Sequence, residues 1–101
     1  MINAEIISNE AGCVVGFTVK NHGESKVCAA VSLLTINTVN SIEKLTEDDF
    51  FCSLSEKNAF ISFTLKNTDS RSPEIAVLLD ALVMGLKSVE EKHPTEISII
   101  E

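Results

Sequence analysis

The spacing of apolar residues switches back and forth between two and about 3.6, and this alternation limits what the chain can fold into. In residues 13–20 (CVVGFTVK), Cys13, Val15, Phe17 and Val19 share one face by strict alternation, the pattern of a half-buried strand. Residues 2–8 (INAEIIS) place Ile2, Ala4 and Ile6 on one side, and NEAG (9–12) is a turn, so the first 20 residues are expected to form a hairpin. NHGES (21–25) is rich in turn formers and reads as a loop. From Lys26 the period changes. Val27, Val31, Leu34, Thr38, Ile42 and Leu45 recur at three- and four-residue steps, so a helix should run to Leu45 with Ser25 as its cap.

The same switch repeats further on. TEDD (46–49) ends the first helix, and FFCSL (50–54) and AFISFTLK (59–66) make a second hairpin around SEKN. Ser72, Pro73 and Glu74 then supply an N-cap, a proline in the first helical position and an acid in the first turn. Ile75, Leu78, Leu79, Leu82, Leu86 and Val89 form one apolar stripe, with Ile75, Leu78, Leu82 and Leu86 expected to be buried. His93-Pro94 closes the helix, and Ile97, Ile99 and Ile100 provide a last strand. The expected fold is α+β, a two-layer sandwich of order ββαββαβ. A mixed, mostly antiparallel sheet carries two helices on one face.

Composition narrows the function. At 101 residues, one domain spanning 1–101 is expected. The formal charge of −7, with eight scattered Lys and Arg residues, offers no basic face for phosphates, so direct nucleic-acid binding is not expected. No apolar run approaches the ~20 residues that span a bilayer, so no membrane association is expected. The start, MINAEIISNE, lacks a basic region followed by an apolar stretch and does not read as a signal peptide. Three cysteines (Cys13, Cys28, Cys52) cannot all pair within one chain, which suits a reducing, cytoplasmic setting. No Cys or His spacing suggests a zinc site, and neither a metal nor another cofactor is expected.

Within HGESKVCAAVS (22–32), a histidine precedes a cysteine by six positions. Cys28 is expected at about the third position of the first helix, where free backbone N–H groups and the helix dipole favour a thiolate. A thiolate with an imidazole in reach is the minimal unit for acyl transfer. Cys28 would attack a carbonyl while His22 holds the proton and returns it to the leaving amine. N–H groups of the first turn, that of Cys28 among them, could hold the oxyanion. Against this, free cysteines are commonly inert small hydrophobes and loop histidines commonly solvated. Spacing alone leaves both readings open.

The run VCAAVSLLT (27–35), following a histidine and a hairpin, resembles the signature of the bacterial ribosomal-processing cysteine proteases, the Prp family. VMGLKSVEEKHPTEISI (83–99) is similar to that family's second helix and last strand. The resemblance implies a homodimeric endopeptidase that removes the N-terminal extension of a large-subunit ribosomal protein after an apolar, phenylalanine-containing stretch. It places the catalytic pair on His22 and Cys28 and a supporting serine on Ser32. Three departures stand out: Asn21-His22-Gly23 replaces the family's Gly-His-Ala, the loop to the cysteine is short, and Ser25 stands where an acid is often found, leaving Glu24 as the nearest one. Two other classes fit the same residues, a noncatalytic ribosome-associated interaction module and a thiol-redox protein using Cys28 alone. Cys13 and Cys52 read as structural thiols. Phe50, Phe51, Phe60 and Phe63 read as core or dimer contacts, or as a pocket lining where exposed near Cys28.

Overall fold

In the computed structural model, which describes residues 1–101, the alternating segments pair into one five-stranded sheet. The elements in chain order are β1 (Ile2–Ser8), β2 (Val14–Lys20), α1 (Ser25–Leu45), β3 (Phe50–Ser55), β4 (Phe60–Leu65), α2 (Pro73–Lys92) and β5 (Ile97–Ile100). The sheet order is β3-β4-β2-β1-β5. Only the β1–β5 pair is parallel; the others are antiparallel. The fold is the α+β arrangement that the sequence periods imply.

Register explains the single core. Ile6 stands opposite Phe17, Phe17 opposite Phe63, and Val19 opposite Ile61. Alternation therefore puts the apolar residues of the central strands on one face. Phe17 and Phe63 are completely buried, with their rings stacked at 5.5 Å, and Phe50 tilts against Phe63 at 5.0 Å. The opposite face carries Asn3, Glu5, Thr18, Ser62 and Thr64, none of them buried. Both helices bury their stripes in the core that the first face provides. They approach closely where Leu34 packs on Gly85; a Cβ there would lie 3.0 Å from a Leu34 methyl.

α2 starts as its sequence dictates, with Ser72 Oγ accepting the Ile75 N–H at 3.1 Å. Ile75, Leu79, Leu82, Val83 and Leu86 are its buried residues, while Leu78 and Val89 are only half-buried. α1 departs from expectation at both ends. Ser25 is its first helical residue rather than its cap, and the N-cap is Glu24, which makes no side-chain cap bond. Leu45 is 69% exposed, and Thr35 takes an inner position instead. Burial of that hydroxyl is tolerated because it donates to the Val31 carbonyl at 2.9 Å within its own helix. Cys13 lies just before β2 rather than in it, beside a register shift between Ile7 and Ser8. Ala59 falls in the β3–β4 turn and not in β4, because its φ of 47° is incompatible with a strand.

Leu79→Ala should cost about 2–5 kcal/mol, the range for a fully buried leucine, whereas Leu45→Ala should stay within about 0.5 kcal/mol of wild type. Urea denaturation of the two variants checks the assignment of inner and outer helix faces.

Candidate active site

The loop between β2 and α1 is shaped by three backbone constraints. Asn21 adopts a left-handed φ of 75°, a conformation that asparagine tolerates better than most residues. Its N–H donates to the Ala59 carbonyl at 3.0 Å, tying the loop to the β3–β4 turn. Gly23 comes next and is pressed against a different part of the fold. A Cβ on it would lie 3.0 Å from the Glu96 carbonyl oxygen and 3.2 Å from Ile2 side-chain carbons. The backbone there passes so close to β1 and the α2–β5 turn that a Cβ would require its neighbours to give by a few tenths of an ångström. At Glu24 the chain enters α1.

Cys28 is the fourth residue of α1, one position later than expected, and is half-buried. Its sulfur is held by the peptide groups of Gly23. The Gly23 N–H donates to Sγ at 3.2 Å, and the thiol donates to the Gly23 carbonyl at 3.5 Å. The Gly23 N–H is thus the donor that would accompany a thiolate formed in reaction. The Cys28 N–H is not available for an oxyanion, because it already donates to the Glu24 carbonyl at 2.9 Å. The N–H groups of Ser25, Lys26 and Val27 have no such partner and are the open donors of the turn.

His22 is exposed, and its ring makes no hydrogen bond, either to Cys28 or to any other group. It nevertheless lines the same cavity as Cys28, together with Ser32 one turn further along α1. This cavity, about 280 Å³, lies between α1 and the β3–β4 hairpin. Val31, Ile36, Leu54, Phe60 and Ile61 give it an apolar wall, and Glu56 and Ala59 form its rim on the hairpin side. A nucleophile with nearby donors at one end of an apolar cleft suits attack on the carbonyl of an extended apolar peptide.

The three sequence-derived residues thus come together in one cleft. The β3–β4 turn was not foreseen as part of it, nor Glu96 as a partner of the adjoining loop. Phe60 did carry a signal as an aromatic outside the core pattern, while Glu96 carried none, since its contact with the loop is made through tertiary structure alone. The Glu24 side chain is exposed and makes no hydrogen bond; the Glu24 backbone is the part that contributes. Of the other thiols, Cys13 is half-buried, and Cys52 on β3 is held above the ordinary thiol pKa by partial desolvation.

Comparison with known proteins gives the family and the fold. The family model of cysteine protease Prp matches residues 1–98. The chain belongs to the Prp cysteine protease family. The S. aureus ribosomal processing protease Prp, solved with a covalently linked product peptide, is 23% identical, with a TM-score of 0.90 over 99% of this chain and 98% of its own. Its complex with a substrate peptide gives 23% identity and a TM-score of 0.89 over 98% and 97% of the two chains. SMU.848 from Streptococcus mutans is 24% identical, with a TM-score of 0.85 over 99% and 92%. No curated protein matches the sequence.

Brief iodoacetamide treatment, mapped by mass spectrometry, should label Cys28 ahead of both Cys13 and Cys52. The Cys52 thiolate is disfavoured by desolvation, and its labelling should accelerate only as the pH rises past the ordinary thiol range. Gly23→Ala should slow Cys28 labelling, because the loop must shift to admit a Cβ beside the Glu96 carbonyl.

Proposed function

We propose that this protein is an endopeptidase that removes the N-terminal extension of a bacterial large-subunit ribosomal protein, with Cys28 as nucleophile and His22 as general base and acid. One observation carries the assignment of residues. The Cys28 sulfur, held by a backbone donor at the start of α1, lies in the same apolar cleft as the unbonded imidazole of His22. The S. aureus Prp, which shares this fold, is a ribosomal processing protease that holds substrate and product peptides, and this supports a ribosomal-protein peptide as substrate.

His22 takes the Cys28 proton, and the thiolate attacks the scissile carbonyl carbon to form a tetrahedral intermediate. The open N–H groups of Ser25–Val27, in the same helix turn as the nucleophile, are the donors we assign to the developing oxyanion. As the C–N bond breaks, the imidazolium gives its proton to the leaving amine. Water, deprotonated by the same imidazole, then attacks the thioester, releasing the acid and restoring the thiol. An imidazole that serves sulfur, amine and water in turn must not be locked onto one partner, and the exposed ring of His22 meets that requirement. Ser32, on the same helix face as Cys28, orients the bound peptide rather than taking part in bond making. No helix is long and apolar enough to cross a membrane, which accords with a cytoplasmic enzyme. The polar face of the sheet is left uncovered within the protomer, and assembly as a homodimer is part of the proposal.

Cleavage of a synthetic peptide carrying the sequence of the ribosomal extension tests this reading. Cys28→Ala should abolish turnover with native circular dichroism. His22→Ala should lower kcat by about 10²–10⁴-fold, the usual contribution of a general acid–base group, and Ser32→Ala should lower it less. Full activity in folded Cys28→Ala would end the protease assignment, and inactivity of the wild type would favour an interaction module. Light scattering should give twice the protomer mass.

A further inference from the structure

α1 begins without the local devices that commonly hold a helix N-terminus. Its N-cap, Glu24, makes no side-chain cap bond, and its first turn contains no acid. The N–H of Glu24 is satisfied instead by the carboxylate of Glu96, 72 residues away in sequence. Glu96 is itself fixed where α2 turns into β5. Its N–H donates to the His93 carbonyl at 3.0 Å, and its carbonyl accepts the Ile2 N–H at 2.9 Å. The same carbonyl is the atom against which Gly23 is packed. One residue therefore touches the loop twice, with side chain and with backbone.

What it touches lies next to the sulfur on both sides. The Glu24 carbonyl accepts the Cys28 N–H at 2.9 Å, and the preceding Gly23 N–H donates to Cys28 Sγ at 3.2 Å. His22 adjoins Gly23. We propose that Glu96 is a positioning residue for the reaction: by accepting the Glu24 N–H, it fixes the Gly23–Glu24 backbone so that the Gly23 N–H stays aimed at Cys28 Sγ. The proposal rests on the assignment of Cys28 and His22 as nucleophile and base. Glu96 acts through its acceptor oxygen, and its charge is incidental. A negative charge near a thiolate opposes the thiolate, so a purely electrostatic role for Glu96 would have the opposite sign.

That difference in sign gives the test. Glu96→Gln keeps an acceptor on the same stem and removes the charge, whereas Glu96→Ala removes both. Peptide turnover and the rate of Cys28 alkylation at fixed pH are measured for each, with urea melts as a check on folding. The expected result for Glu96→Ala is a fall in kcat of up to about 100-fold, the cost of misplacing a reacting group by an ångström. KM should change little, and Cys28 alkylation should be slower. Glu96→Gln should stay near wild type in turnover and alkylate at the wild-type rate or faster. If Glu96→Ala does not fold, Glu96→Met replaces it, keeping the stem without the acceptor. Wild-type kcat and alkylation in the acceptor-free variant would overturn the proposal, as would a fall in Glu96→Gln as large as that in Glu96→Ala. If the wild type cleaves no peptide, the protease assignment fails separately, and the alkylation rates alone decide whether Glu96 positions the sulfur.

Discussion

An amphipathic sheet with one apolar face obliges the rest of this molecule to take its form. Phe17 and Phe63 stack at the centre of that face, with Ile2, Ala4, Ile6, Val19, Ile61 and Leu65 around them. Such a surface is stable only when covered, and the two helices that cover it must lie side by side above the same strands. Gly85 makes that side-by-side placement possible by letting Leu34 seat against the α2 backbone. α1 then begins close to where β2 ends, and a loop only a few residues long bridges the gap. The cleft is the space left between that helix and the β3–β4 hairpin, an edge of the sheet that neither helix fills.

Within this frame, the chemistry is held by main chain more than by side chains. The sulfur is bonded to both peptide groups of Gly23, and the imidazole to nothing. Two left-handed residues, Asn21 and Ala59, are joined by a backbone hydrogen bond that pins the histidine's turn to the far wall of the cleft. Alanine in that conformation costs roughly 1–2 kcal/mol, and such strain is tolerated where the surrounding structure determines the turn. The result is a tethered thiol and an unbonded imidazole lining the same cleft. This division suits the proposed reaction, in which the sulfur forms and breaks one bond while the imidazole moves protons among three partners.

Much of the architecture was legible in the sequence because periodicity is a local signal. Ser72-Pro73-Glu74 located the start of α2, and the alternation through Phe17 and Phe63 located the inner face. The misreadings occurred where tertiary contacts override local pattern. Thr35 is buried through a bond to its own helix, and Leu45 is exposed because α1 extends past the core it covers. Ser25 looked like a cap, but the N-cap is Glu24, whose N–H is held by Glu96, and no local pattern announces a partner so distant in sequence. That His22, Cys28 and Ser32 lie near one another was legible from a motif. The reason for Gly23 was not, since it depends on the passage of Ile2 and Glu96 alongside.

The parallel pairing of β1 with β5 also bears on folding. Ile2 meets Ile97 at the start of that ladder, so the contact closes a loop of nearly the whole chain, an entropic cost that is met late in folding. Glu96 and Ile2, the residues that seat the loop, belong to this same contact. Hairpins β1–β2 and β3–β4 can form from neighbouring sequence, yet neither creates the environment of Cys28. By the proposal made for Glu96, the backbone donor is fixed on the sulfur only once the β5 edge has docked. Completion of the site is thereby tied to completion of the global fold, and the two hairpins alone do not assemble it.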